Sequence, residues 1–188
     1  DHTLYEKMIG NIFLVFMGVG VLSMPFWSAM ARRYGKQRAL VGAVLLYALA
    51  SFGLLAVQPA GNMLWLYGPL ALMGIAFGAQ QMLPFAMLTD VINVDAATTG
   101  VRREGLLSGL WVASEKAGLA LGPLVAGLTL DLTGFVESEG GHVAQSTAAL
   151  AGIRFAYIVL PAIGMLLSLL LLRHYRSEGE QAAGASGA

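Results

Sequence analysis

The chain has 188 residues, 57% of them apolar and only 12% charged, with 11 Lys and Arg balanced by 11 Asp and Glu. A soluble domain carries about 25% charged residues, so a water-facing globule is excluded and the solvent is mostly lipid, in line with a mean hydropathy of +0.70. Zero net charge argues against a nucleic-acid partner, and the absence of cysteine excludes disulfides and thiolate metal sites.

The chain opens on Asp1 without a Met, and Asp1, Glu6 and Lys7 are the wrong flank for a signal peptide, so a fragment of a longer protein is expected. The first uncharged run, Met8–Ala31, covers 24 residues; Ala39–Val57 covers 19 and Asn62–Thr89 covers 28. Gly105–Leu130 is as apolar except for Glu115 and Lys116, and Phe155–Leu172 extends back to Ala148 if Arg154 reaches the interface. About 20 apolar residues cross about 30 Å of hydrocarbon. The expectation is an all-α polytopic transmembrane bundle of five spans, at about 8–31, 39–57, 62–89, 105–130 and 149–172. Period-2 alternation is absent, which leaves helices as the spanning structure.

The connections set the orientation. Arg32, Arg33, Lys36 and Arg38 lie between the first two spans, Arg102 and Arg103 between the third and fourth, and Arg173 and Arg176 after the last. The other side carries only Lys7 and Arg154, with Asp131, Glu137 and Glu139 in the fourth connection. The positive-inside rule then puts the N-terminus outside and the C-terminus in the cytoplasm. Residues 177–188 are small and polar, and a disordered cytoplasmic tail is expected there.

Proline interrupts four spans at Pro25, Pro69, Pro84, Pro123 and Pro161, read as packing kinks or as flexible gates. Gly118, Gly122 and Gly127 form a small-residue face that would admit a neighbouring helix. Glu115 and Lys116 lie about 15 Å into their span, near the bilayer midplane. Each ionised group there costs on the order of 2.5–3.5 kcal/mol and by default marks an ion or substrate path. Adjacent helical residues point about 100° apart, so the pair needs partners elsewhere: a buried ion pair fixing register, or a coupling site. Gln80 and Gln81 are uncharged polar groups inside a span, suited to interhelical hydrogen bonds or to a cavity wall; Glu115 could face either of them. The three His residues are scattered without metal-ligand spacing, and no nucleophile or mid-span carboxylate pair suggests an enzyme.

The stretch Leu83-Pro84-Phe85-Ala86-Met87-Leu88-Thr89-Asp90, then Gly100-Val101-Arg102-Arg103-Glu104-Gly105, resembles the loop between helices ten and eleven of the glycoside–pentoside–hexuronide:cation symporters, relatives of melibiose permease in the major facilitator superfamily. Gly109-Leu110-Trp111 with Glu115-Lys116 and Gly118 resembles their helix eleven, and Gln145-Ser146-Thr147 through Leu160-Pro161 the start of helix twelve. In the loop of Arg32–Arg38, Arg33, Gly35 and Lys36 fit the superfamily signature, whereas Ser28 and Arg32 stand where it has a glycine and an acid.

The resemblance implies helices eight to twelve of a twelve-helix inner-membrane transporter, with the missing N-terminal half as partner. It implies symport of a sugar, glycoside or uronide with Na+ or H+, no cofactor, and cation ligands mostly outside this chain. Lys116, with Glu115, would link cation and substrate sites; Gln80, Gln81 and Trp111 would line the cavity; Asp90, Arg102 and Arg103 would form a cytoplasmic gate. A lysolipid carrier of the same fold and a non-transporting membrane scaffold are the alternatives.

Overall fold

The computed structural model describes residues 2–55, 64–137 and 144–173. The expected loop around Ala60, part of the acidic connection and the tail 177–188 lie outside the described residues. Among the described residues six α-helices and one π-helical segment follow in order: α1 His2–Tyr34, α2 Lys36–Leu55, α3 Leu64–Thr99, α4 Glu104–Leu132, α5 Thr147–Arg154, the π segment Phe155–Val159 and α6 Leu160–Leu172. The chain is a multi-pass helical membrane protein. Among the described residues four helical stretches are long and apolar enough to cross a bilayer: Ile9–Tyr34, Lys36–Leu55, Trp65–Thr99 and Thr147–Leu172. The fifth expected span is the helix α4, whose 29 residues give it the length but whose Glu115 and Lys116 lower its apolarity.

Helix α3 runs further than its uncharged stretch. It continues through Asp90 and Asp95 to Thr99, because no Gly or Pro intervenes between Pro84 and Gly100, which stops it at φ +69°. At 36 residues it is roughly 54 Å long, well beyond the hydrocarbon. The expected connection between the third and fourth spans is therefore mostly a helical extension with a short turn. Pro25, Pro69, Pro84 and Pro123 all lie inside continuous helices. At Pro161 the chain responds differently. The π turn ahead of it, closed by Leu160 N–H donating to the Phe155 carbonyl, widens the helix where proline removes a backbone donor.

The core is a three-helix wedge of α1, α2 and α3, closed on one side by α6. Trp27, Ala39, Leu40, Ala43, Val44, Ala79, Leu83 and Met87 are buried together, with Met165 and Leu169 of α6 packed on them. Trp27 Nε1 donates to the Ile75 carbonyl at 2.8 Å, and the Ser23 hydroxyl donates to the same oxygen at 3.1 Å. Helices α1 and α3 touch backbone to backbone: a Cβ on Gly74 would stand 2.5 Å from the Phe16 carbonyl oxygen, and one on Gly78 would collide with Gly20. Large apolar side chains such as Leu22, Leu49 and Leu171 are exposed, as a lipid-facing surface requires.

Candidate functional site

Helix α4 carries no buried residue. It is held at its two ends. At one, Arg103 pairs with Asp95 of α3; at the other, Gly152 of α5 lies so close to Thr133 that no side chain would fit. The loop after α4 is fastened by Gln145, whose Nε2 donates to the Val136 carbonyl at 2.7 Å while its Oε1 accepts from the Val136 N–H at 3.1 Å. Ser146 caps α5 by accepting from Ala149 N–H at 3.0 Å.

Glu115 and Lys116 sit near the centre of α4, and both are exposed, with no partner among the described residues. Trp111 is half-buried one turn and more nearer the Glu104 end. Gly118, Gly122 and Gly127 have open space within 4 Å of where a Cβ would stand, so the small-residue face of α4 meets no helix among the described residues. The close approach expected there occurs at Gly74 and Gly78 instead. Their four-residue spacing was the sequence signal for it.

Six of the charged residues at the basic end are joined in three separate pairs. Asp90 is paired with Lys36: Nζ donates to Oδ1 at 2.5 Å and Oδ2 at 2.6 Å, and reaches the Ala86 carbonyl at 3.3 Å. Lys36 can do so because Gly35, at φ +91°, turns α1 into α2 in a single residue and sets the lysine on the first turn of α2. Arg103 holds Asp95 with two hydrogen bonds, at 2.8 and 3.1 Å. Arg102 pairs with Glu104, two residues along the turn, its Nε donating to Oε1 at 2.8 Å. Lys36 is the residue that sequence reasoning left in a basic loop. Its partner Asp90 lies 54 positions away; the available signal was an acid on a helix end at the same membrane level as a basic turn.

Gln80 and Gln81 diverge. Gln80 faces α2 and α6, bordering a cavity of about 400 Å³ with Leu40, Val44, Met165 and Leu172, while Gln81 is exposed. Trp111, Glu115 and Lys116 do not border that cavity, so the sequence candidates are not gathered into one pocket.

With helices and charges so arranged, similarity to known proteins decides the family. The family of MFS/sugar transport proteins matches residues 5–178. The chain belongs to that family. Within the major facilitator superfamily this is the glycoside–pentoside–hexuronide:cation symporter group that the resemblance indicated, a family of transporters and not enzymes. An uncharacterized symporter of Synechocystis is 34% identical over 92% of this chain and 32% of its own length. The isoprimeverose transporter of Lactiplantibacillus pentosus is 26% identical over 93% of the chain and 36% of its own length. The sodium-dependent lysophosphatidylcholine symporter 1 of Xenopus tropicalis is 28% identical over 91% and 32%. The chain thus spans about a third of the length of the curated relatives it matches. No solved structure matches it.

Proposed function

We propose that the chain is part of a secondary active transporter that moves a sugar, glycoside or uronide with Na+ or H+ across the cytoplasmic membrane by alternating access. The observation that carries this reading is Lys116: an ammonium at mid-helix, exposed, without a partner among the described residues, in a member of a symporter family. Facing lipid it would cost on the order of 2.5–3.5 kcal/mol. The unburied face of α4 therefore meets a wet cavity or helices of another part of the transporter, where carboxylates can receive the lysine. There Lys116 balances charge when the cation is absent and yields its partner when the cation arrives. Glu115, about 100° around the helix, contributes a second polar contact, with Gln81 and Trp111 candidates for the cavity wall and Gln80 set behind them.

The excess of Lys and Arg at one end supports placing that end in the cytoplasm, with the start of the chain outside and α4 as a fifth crossing. The Asp90, Arg102 and Arg103 pairs then rim the cytoplasmic mouth, where a rocking bundle must make and break contacts. A lysolipid carrier is the second reading, favoured by the lysophosphatidylcholine symporter among the relatives.

The test is gradient-driven uptake and substrate exchange in vesicles containing the full-length protein. Lys116→Ala should abolish accumulation, and Lys116→Arg should do nearly as much damage, because a guanidinium neither gives up its proton nor fits a compact site. Glu115→Gln should be milder, since an amide keeps a hydrogen bond. Wild-type accumulation by Lys116→Ala would defeat the coupling role. Competition by lysophosphatidylcholine and not by any glycoside would favour the second reading.

A further inference from the structure

We propose that the groove between α2, α3 and α6 holds one acyl chain of an anionic phospholipid, with the lipid phosphate beside Arg38 and Arg173. The groove has a volume of about 400 Å³, within the roughly 300–1,000 Å³ of small-molecule sites. Its walls are Leu40, Val44, Pro84, Met165, Leu171 and Leu172, with two polar groups, Gln80 and Ser168. Ser168 is already committed, donating to the Met165 carbonyl at 2.6 Å. Leu171 is also part of the exposed outer face of α6, beside exposed Leu167 and Leu170, so a chain can enter sideways from the bilayer.

Depth and charge argue for a lipid in preference to any soluble ligand. Leu172 is the last residue of α6 and Leu40 lies in the first turns of α2, so one end of the groove is at the membrane interface. From Leu172 back to Met165 it descends about 10 Å, inside the roughly 15 Å of hydrocarbon in one leaflet. At the rim, Gln37 Nε2 donates to the Leu172 carbonyl at 2.8 Å and ties the two helix ends together. Arg38 and Arg173 flank this junction in sequence, both exposed and with no partner among the described residues. Neither α2 nor α6 contains an acidic residue, and Asp90 of the nearby α3 is engaged by Lys36. Two cations unpaired among the described residues, next in sequence to the rim of an apolar slot of one-leaflet depth, match a phosphodiester above a hydrocarbon chain.

Which leaflet this is rests on the orientation proposed above, whereas lipid retention does not, so the two can fail separately. The experiment is native mass spectrometry of the delipidated full-length protein titrated with dioleoyl phosphatidylglycerol or dioleoyl phosphatidylcholine. Phosphatidylglycerol should be retained preferentially. Arg38→Ala combined with Arg173→Ala should remove that preference, weakening retention roughly thirtyfold at the usual strength of two basic residues near a membrane surface. Leu171→Trp, at an exposed position where a larger side chain overpacks nothing, should block the slot and release either lipid. Gln80→Leu should leave retention intact, because a hydrocarbon chain does not need the amide. Equal retention of both lipids, loss of binding in Gln80→Leu, or unchanged binding in Leu171→Trp would each overturn the proposal.

Discussion

Asp90 stands on a helix and not in a loop, and this is what brings it within reach of Lys36. The aspartate side chain is 15% exposed and the lysine 37%. Breaking a fully buried pair costs roughly 3–5 kcal/mol; with the lysine partly in solvent, a loss of about 1–3 kcal/mol is expected. A double-mutant cycle of Lys36→Ala and Asp90→Asn, read by thermal unfolding of the purified protein, should show coupling of that size. Additive losses would mean that the pair contributes nothing. Arg102→Ala should be nearly silent on stability, since Arg102 and Glu104 form an exposed pair within one turn, of the kind worth about 0–1 kcal/mol. The residue types at this end were all legible in the sequence as charge. Their pairing was not, because Lys36 and Asp90 meet only after α1, α2 and α3 have packed.

At the scale of elements, the contrast is between two glycine patterns of similar appearance. Gly74 and Gly78 are pressed against the backbone of α1, whereas Gly118 and Gly122 face open space. Spacing alone could not tell them apart, since a small-residue face only permits close approach and a second surface must exist to make it. Gly74→Ala would put a methyl group against the Phe16 carbonyl, which belongs to a helix backbone and cannot swing away. Overpacking of this kind costs roughly 1–3 kcal/mol, so the apparent melting temperature should fall by several degrees. An unchanged melting temperature in Gly74→Ala would contradict the packing of α1 on α3. The all-helical class of these elements was anticipated. Their ends were less so, as α3 shows by carrying Asp90 and Asp95 past its apolar stretch, and the π turn before Pro161 had no sequence signature beyond the proline.

For the whole molecule, the decisive prediction is the number of crossings. Among the described residues four helices qualify by length and apolarity, and α4 is the fifth if its charged centre is shielded. Single cysteines at Ala60, Thr98, His142 and Gly184, probed in intact cells with an impermeant thiol reagent, distinguish these cases. Ala60 and His142 should label, and Thr98 and Gly184 should be protected; labelling of Thr98 or Gly184 would reverse or break the proposed topology. Sequence by itself determined the solvent, the helical class and the family, because a chain in lipid must satisfy its backbone hydrogen bonds locally and so writes each span as a continuous apolar run. Only the tertiary structure decided which faces meet: α1 against α3 through glycine, Lys36 on Asp90, Gln80 turned into a groove and α4 left uncovered. Contacts of that kind depend on the fit of two surfaces far apart in the chain, and a nearly uniform apolar sequence records little of that fit.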